Sequence, residues 1–260
     1  MTCDTESPLV FLHIPKTAGQ SVHRALGQAL GGALGGEAGL SPVRLHSQAA
    51  RGAAQLPPGY RLYSGHIDWE ALETLGPRAR AFTVLRDPLE RIASFYLYLR
   101  RKAATLDAAT LARPEHTGLA RAGHWSAEEY FFGGDPGWRR FVEDHYRAPY
   151  CTYLVTRRIR GWDAVATLPR PELIARAADA ARGLSGVYDV ADPAPLIRDL
   201  TRWTGQPVTL PRINAAPETG ARWPRLAAEL SPASAERLMD WVAPDQALMA
   251  RLGFGRSVAA

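Results

Sequence analysis

The sequence predicts an α/β fold with three layers, in which a central, mainly parallel sheet is flanked by helices. Short apolar segments alternate with helical patterns along the chain, an order typical of parallel sheets covered on both faces. Segment 81–85, Ala-Phe-Thr-Val-Leu, is apolar and β-branched without alternation, which indicates a strand buried on both sides. At 260 residues, the chain is expected to form one domain over 1–260.

The first half of the chain contains most of the predicted strands. The predicted elements are a strand at 9–14, a helix at 21–30, strands at 43–46 and 60–64, a short helix at 70–75 and a strand at 81–85. Pro15 ends the first strand, and the glycine-rich stretch 31–39 is expected to stop the first helix.

The second half is predicted to be mainly helical. Asp87 is a good N-cap and Pro88 suits the first helical position, so a helix is expected through Arg101. Stretch 103–125 lacks a strong apolar stripe and contains Pro114, so we expect a loop or mobile lid there. The remaining predictions are helices at 126–132, 138–145 and 171–182, a strand at 186–190, and a helical part over 191–260 with helices at 195–204, 224–230 and 233–242.

Positive charge is carried almost entirely by arginine. The net charge is +5, and the only lysines are Lys16 and Lys102. This bias makes arginine density weak support for an anionic partner, whereas a lysine placed in a turn is more informative. Cys3 and Cys151 lie far apart without metal-ligand spacing, so reduced, unpaired thiols are expected.

Membrane and export signals are not found in the sequence. No apolar run approaches the roughly 18 residues of a membrane span. Residues 1–8 lack a basic start followed by an apolar stretch, so no signal peptide is expected. We therefore predict a soluble, cytoplasmic protein.

The most informative segment is 9–21, a predicted strand, a tight turn and the start of a helix. The backbone N–H groups of such a turn and the positive end of the helix point at one spot, where a phosphate is stabilised. Lys16 adds a mobile positive charge, and Thr17 and Ser21 add hydroxyl donors. A sheet with this kind of turn is P-loop-like. An ordinary strand-to-helix turn with a surface lysine is the alternative for the motif taken alone.

Two further predicted strands are followed directly by polar or charged residues. Gly65-His66 follows one strand and Arg86-Asp87 follows another, while Pro15-Lys16-Thr17 follows the first. In open parallel α/β sheets, ligands bind outside the carboxyl ends of the strands. Three such endings at one edge predict a single site.

The residue types at this edge indicate anion binding and proton transfer. The guanidinium of Arg86 suits bidentate phosphate contacts, and Ser94, about two helical turns on, could share the same anion. His66 follows a glycine that lets the backbone approach a ligand, and histidine can accept a proton from a hydroxyl at neutral pH.

Each of these residues also has a structural alternative. Arg86 could form an ion pair with Asp87 or Glu90, and Ser94 could be a commonplace helix serine. Arg91 is expected to form a helix-surface ion pair four residues after Asp87. His13 is expected to pack or hydrogen-bond in the core.

Two segments resemble the sulfotransferases that use 3′-phosphoadenosine-5′-phosphosulfate (PAPS). Residues 13–21, His-Ile-Pro-Lys-Thr-Ala-Gly-Gln-Ser, are similar to their 5′-phosphosulfate-binding turn. Residues 84–96, beginning Val-Leu-Arg-Asp-Pro, are similar to their 3′-phosphate-binding strand and helix. Tyr63-Ser64-Gly65-His66 resembles the Gly-His segment of the carbohydrate branch, which includes heparan-sulfate and uronyl 2-O-sulfotransferases. The resemblance covers roughly the first 100 residues.

The resemblance implies a role for each matching residue. Lys16 and His66 would be catalytic, as the cation at the bridging oxygen and as the base for the acceptor hydroxyl. PAPS would be the co-substrate, 3′,5′-adenosine bisphosphate the product, and no metal is expected. The implied nucleotide-binding residues are Pro15, Lys16, Thr17, Ala18, Gly19, Gln20, Ser21, Arg86, Ser94, Arg212 and Asn214.

One departure leaves the acceptor class open. Part of the 2-O branch has a second histidine two residues before that of Gly-His, and here the position is Ser64. The animal members also sit behind a membrane anchor, so a bacterial-type soluble enzyme is expected. The expected acceptor is a hydroxyl of a glycan or glycolipid, which tryptophans and the arginines of 139–147 and 157–160 could contact.

Two other functions compete with this interpretation. A nucleotide kinase or NTPase would share the sheet and the turn, yet the usual G-x-x-x-x-G-K-[ST] pattern is absent. A non-enzymatic polyanion-binding module could use the basic segments 100–102 and 157–160. No known nucleic-acid motif occurs, so no nucleic-acid partner is expected.

Overall fold

The computed structural model describes residues 7–34, 43–46, 52–211 and 220–254. Over these residues the centre of the protein is a five-stranded, fully parallel sheet with the order β2-β3-β1-β4-β5. The strands are β1 (Leu9–Leu12), β2 (Val43–His46), β3 (Leu62–His66), β4 (Arg80–Leu85) and β5 (Gly186–Asp189).

Helices connect the strands and form most of the second half of the chain. They are α1 (Gly19–Leu34), α2 (Pro88–Ala103), α3 (Ala108–Leu111), α4 (Thr117–His124), α5 (Ala127–Phe132), α6 (Pro136–Tyr146), α7 (Pro149–Thr156), α8 (Trp162–Val165), α9 (Arg170–Arg182), α10 (Ala194–Thr204), α11 (Trp223–Ala227) and α12 (Pro232–Arg251). Short 3-10 turns lie at Gly52–Gln55, Leu72–Leu75 and Pro114–His116.

The sheet is covered on both faces, and the side chains of β1 show how. Leu9 and Phe11 point into a core shared with α1 and α10. Val10 and Leu12 point into the opposite core, which α7 and α9 complete. Side chains of a strand alternate between faces, so an all-apolar strand must be buried on both sides. The predicted three-layer α/β fold is confirmed.

A third core lies among helices alone. It joins Ile92 and Tyr96 of α2 with Tyr130 of α5, Trp138 of α6 and Trp241 of α12. The rings of Tyr130 and Trp138 meet edge-on with centroids 5.0 Å apart. One face of α2 is therefore fixed in an aromatic core, which leaves another face for the sheet edge.

Most predicted boundaries lie within two residues of the observed ones, but three predictions were wrong. The helix α1 continues through Gly31 and Gly32 to Leu34, because glycine lowers helix stability by about 1 kcal/mol without preventing helical backbone angles. The last helix was predicted to end at 242 but runs to Arg251 through Pro244. Apolar side chains beyond that proline, Leu248 and Met249, are buried and stabilise the extension.

Stretch 103–125 was predicted as a loop, and this is the third correction. It contains α3, a 3-10 turn and α4. Asp107 caps α3 by accepting a hydrogen bond from the Thr110 N–H at 2.8 Å. Leu111 and Leu119 are buried against the end of α2. Local caps and two buried leucines thus order a stretch without a long apolar stripe. Whether it moves as a lid stays a prediction.

No helix within the described ranges combines the length and the apolar character needed to cross a membrane.

Candidate active site

The sheet order places the three polar strand endings side by side. Strand β1 lies between β3 and β4, and Leu12 pairs with Gly65. The His13 N–H donates to the Gly65 carbonyl at 3.0 Å, and the Thr83 hydroxyl donates to the Leu12 carbonyl at 2.7 Å. The segments that begin at residues 15, 66 and 86 therefore leave the same carboxyl edge.

The turn after β1 has the backbone geometry of an anion cradle. Lys16 and Ala18 both have positive φ angles, 72° and 64°, which non-glycine residues adopt at a cost of about 1–3 kcal/mol each. The N–H groups of Ser21 and Val22 both donate to the Ala18 carbonyl, at 3.0 and 3.3 Å. First-turn N–H groups of a helix lack intrahelical acceptors, and a left-handed turn before them gathers such groups toward one point.

The hydroxyl of Thr17 is engaged within the turn. Thr17 is completely buried, and its hydroxyl donates to the Ile14 carbonyl at 2.9 Å. This bond closes the turn from inside. Ser21 is half-buried on the first turn of α1, and Gln20 is exposed. A contact from Thr17 to an anion stays a prediction.

Positive charges surround the side chain of Lys16. Its Nζ is 3.9 Å from the centroid of the Tyr98 ring. Burial, followed by the positive charges of Arg101, Arg86, Arg222 and Arg91, lowers the pKa of Lys16 from 10.5 to about 8. A group of cations that depress one another's pKa stabilises a bound anion.

Arg86 is held at the mouth of the site by one carboxylate. Arg86 Nη2 lies 3.3 Å from Glu90 Oε2, so the predicted ion-pair alternative is present. Glu90 Oε1 also accepts from the N–H groups of Arg222 and Trp223, at 2.7 and 2.9 Å. Burial and the charge of Arg222 lower the pKa of Arg86. Glu90 thus joins two arginines, one of which the sequence interpretation missed.

The backbone of Arg86 is fixed from the opposite side by α7. The Tyr150 hydroxyl donates to the Arg86 carbonyl at 2.8 Å and accepts from its N–H at 3.3 Å. Buried Asp245 accepts from the N–H groups of Tyr150 and Cys151, at 3.0 and 2.9 Å, and so caps α7. Burial raises the pKa of Asp245 to about 6. No local pattern in the sequence pairs these residues.

Arg91 was predicted to form a surface ion pair with Asp87, and this was wrong. Its side chain is 1% exposed. Its Nε donates to the Pro15 carbonyl at 3.1 Å, and its Nη1 donates to the His145 carbonyl. The Asp87 carboxylate instead accepts from the Glu90 N–H at 2.8 Å, as an N-cap. Arg91 therefore connects the turn after β1 to α2.

The ring of His66 is oriented by His13, the residue that follows β1. Its Nδ1 lies 2.8 Å from the His13 carbonyl oxygen. A carbonyl oxygen only accepts, so Nδ1 carries the proton and Nε2 is the basic nitrogen of the neutral ring. The ring of His13, which is buried as predicted, stacks on that of His66 with centroids 4.5 Å apart.

A second buried histidine faces the same region. Burial, followed by the charges of Arg160, Arg91 and His66, lowers the pKa of His145 to about 3. Its ring is therefore neutral across the physiological range, and it packs edge-on against Phe95 and Phe141.

The remaining predicted site residues divide into described and undescribed ones. Ser94 lies on α2 and is buried. Arg212 and Asn214 lie outside the described residues. Trp69, Trp138 and Trp162 have their rings in apolar cores, so these indoles are not exposed platforms for a sugar.

The carboxyl edge of the parallel sheet thus brings together a turn with two left-handed residues, a cluster of cations and an imidazole that is hydrogen-bonded through Nδ1. A comparison with protein-family models matches the Sulfotransferase family over residues 1–143, more than half of the chain. The chain belongs to this family, and its fold is P-loop-like. The matched range includes Lys16, His66, Arg86 and Ser94. A search of curated proteins finds no match.

Proposed function

We propose that the protein transfers the sulfuryl group of PAPS to a hydroxyl of a carbohydrate acceptor. One observation supports this most strongly: the cations around Lys16 lie at the same sheet edge as His66, whose Nδ1 is occupied by the His13 carbonyl. Membership of the family makes sulfuryl transfer the expected chemistry. The nucleotide, the acceptor and the individual roles below are our proposal.

The described residues fit a nucleotide with two separate phosphate groups. The backbone N–H groups of 17–21 and the Ser21 hydroxyl bind the 5′-phosphosulfate at the start of α1. Arg86 and Ser94 bind the 3′-phosphate along α2. The left-handed angles at Lys16 and Ala18 support this assignment, because such backbone strain is common where a ligand is gripped. Arg212 and Asn214, which lie outside the described residues, are included as nucleotide contacts on the resemblance alone.

The nucleotide supplies an already activated sulfuryl group, so the protein has little covalent work to do. The reaction is an in-line displacement in which the acceptor oxygen bonds to sulfur as the bond to the bridging oxygen breaks. Lys16 neutralises the charge that builds on that bridging oxygen. His66 Nε2 takes the hydroxyl proton, a contribution worth about 10²–10⁴-fold in rate. Positioning by the turn and by Arg91 contributes further.

The acceptor is proposed to be a glycan or glycolipid, on the resemblance of Gly65-His66 to the carbohydrate branch. Ser64 stands where part of that branch has a second histidine. Its side chain is 1% exposed within β3, so position 64 does not face an acceptor here. Exposed arginines such as Arg139 and Arg160 are available to an acidic sugar, whereas Arg157 and Arg158 pair with Glu73 and Glu70.

A transfer assay with PAPS labelled in the sulfuryl group tests this function. The assay screens glycans, glycolipids, small phenols and peptides, with and without EDTA. We expect labelled carbohydrate in either condition and a loss of about 10²-fold or more in the Lys16→Ala and His66→Ala variants. Lys102→Ala, at an exposed position outside the site, is the matched control. Full activity in both site variants would overturn the assignment, and magnesium-dependent ATP turnover would favour a kinase.

A further inference from the structure

The aromatic ring beneath the Lys16 ammonium belongs to Tyr98, which no part of the proposed mechanism uses. The Nζ of Lys16 lies 3.9 Å from the ring centroid, well inside the distance of a cation–π contact. Tyr98 is half-buried on α2.

The spacing of α2 explains why Tyr98 faces the turn. Arg91, Ser94, Tyr98 and Arg101 follow one another at intervals of three or four residues, so they share one face of the helix. Arg91 at one end of this face contacts the Pro15 carbonyl. Arg101 lies at the other end, and among the neighbouring charges it lowers the pKa of Lys16 most. Tyr98 lies between them, opposite the lysine.

The positive charges around Lys16 explain how the Tyr98 ring could stabilise its ammonium group. Four arginines act electrostatically on the ammonium of Lys16. Arg91 and Arg101 lie on α2, Arg86 lies just before α2, and Arg222 lies just before α11. The nearby carboxylate of Glu90 is engaged with Arg86 and with the backbone of Arg222. The face of an aromatic ring carries a negative quadrupole, so it favours the charged ammonium where the arginines oppose it.

We propose that Tyr98 is a positioning residue that seats the protonated Lys16 at the mouth of the turn until the anionic co-substrate binds. The ammonium then leaves the ring and contacts the oxygens of the nucleotide. No covalent bond changes in this step, because one partner of a cation is exchanged for another. The identity of the anion, an adenosine 3′,5′-bisphosphate, rests on the proposed function.

Because lysine is scarce in this sequence, the contact between Lys16 and Tyr98 can be observed directly. Lys16 and Lys102 are the only lysines, so the exposed Lys102→Arg substitution leaves Lys16 as the one lysine in the chain. Reductive methylation with ¹³C-formaldehyde then labels Lys16 and the α-amino group, and dimethylation keeps the positive charge. The NMR signal of the Lys16 methyl groups reports both ring proximity and titration.

The expected result depends on the ring and not on the Tyr98 hydroxyl. In the Lys102→Arg protein, the Lys16 methyl signal is shifted upfield by the ring current, and it titrates well below the ordinary lysine range, near pH 8. Tyr98→Leu removes the upfield shift and lowers the Lys16 pKa further, because the group favouring the cation is gone. Tyr98→Phe retains both properties. Saturating 3′,5′-adenosine bisphosphate abolishes the upfield shift and raises the Lys16 pKa.

Two controls separate this inference from the proposed function. Tyr98→Gln is a second non-aromatic variant, and circular dichroism confirms that each variant is folded. A Lys16 signal that is the same in the parent, Tyr98→Leu and Tyr98→Gln proteins overturns the seat, even if sulfuryl transfer is found. The same holds if the bisphosphate binds, as measured by calorimetry, and yet leaves the signal in place. The remaining outcome is a Lys16 signal that depends on the Tyr98 ring and is moved by the bisphosphate, in a protein without transfer activity. This outcome supports the role of Tyr98 and rejects the proposed chemistry.

Discussion

The imidazole of His13 lies directly against Gly19, the first residue of α1. A Cβ atom at position 19 would be only 1.8 Å from His13 Nε2. His13 also stacks on His66 and accepts from its Nδ1 through the main-chain carbonyl. The residue that follows β1 therefore contacts the start of α1 on one side and the candidate base on the other.

Replacing Gly19 by alanine is expected to damage the site through this contact. The methyl group must displace His13, and overpacking of this kind typically costs about 1–3 kcal/mol of stability. We expect at least about tenfold weaker nucleotide binding by calorimetry, together with a lower melting temperature. Gly27→Ala is the matched control in the same helix, because nothing lies within 4 Å of its added methyl group. That variant should gain about 0.5–1 kcal/mol, and equal behaviour of the two would contradict the role of His13.

Replacing Arg91 by lysine tests its bridge between the Pro15 and His145 carbonyls. A single ammonium cannot reproduce the planar fork, so one buried carbonyl loses its partner at a cost of about 1–3 kcal/mol. Misplacement of the turn should lower kcat/KM on the order of 10- to 100-fold. Arg176→Lys, in an exposed pair with Glu172, should change neither the melting temperature nor the kinetics. An active, fully stable Arg91→Lys enzyme would show that the bridge is dispensable.

Replacing Lys16 by methionine should abolish transfer activity and make the fold more stable. The cation is opposed by burial and by neighbouring arginines, so its removal at pH 7 should stabilise the fold by roughly 1–2 kcal/mol after allowance for solvent screening. Thermal unfolding should show a rise of a few degrees, while transfer activity is lost. Lys102→Met, at an exposed position, should leave both unchanged. A less stable Lys16→Met protein would mean that burial and the neighbouring arginines do not oppose the charge of Lys16.

The pKa of Lys16 also sets an alkaline limit on activity. A lysine that must be protonated, with its pKa lowered to about 8, loses its charge as the pH rises through that value. We expect kcat/KM, which reports the free enzyme, to fall above about pH 8. The decline in kcat should lie at higher pH, because a bound anion raises the lysine pKa. A kcat/KM profile that stays flat to pH 10 would assign the catalytic charge elsewhere.

The parts of the site that lie on one continuous stretch could be predicted from the sequence. The Lys16 turn, Gly65-His66 and Arg86-Asp87 each follow an apolar strand, and parallel strands place their carboxyl ends at one edge. Asp87 and Pro88 likewise identify the start of α2 by local rules.

The residues that hold the site together could not be predicted, because their partners are distant in sequence. Arg91 reaches Pro15 and His145, and helix spacing alone assigned it to Asp87. Glu90 meets the backbone of Arg222 across 132 residues of chain. Tyr98 faces Lys16 only because the aromatic core fixes the rotation of α2. Helix α7 was missed since six of its residues are buried and no polar stripe marks it.

The central claim is that the turn at Lys16 and the arginine fork at Arg86 together grip two separate phosphate groups. Calorimetry with 3′,5′-adenosine bisphosphate, 5′-ADP and AMP measures this directly, since the first two carry the same number of phosphates in different places. We predict that the 3′,5′-bisphosphate binds about 10- to 100-fold more tightly than either other nucleotide, and that Arg86→Met removes most of the preference. Equal affinity of the wild-type protein for all three nucleotides would contradict the account.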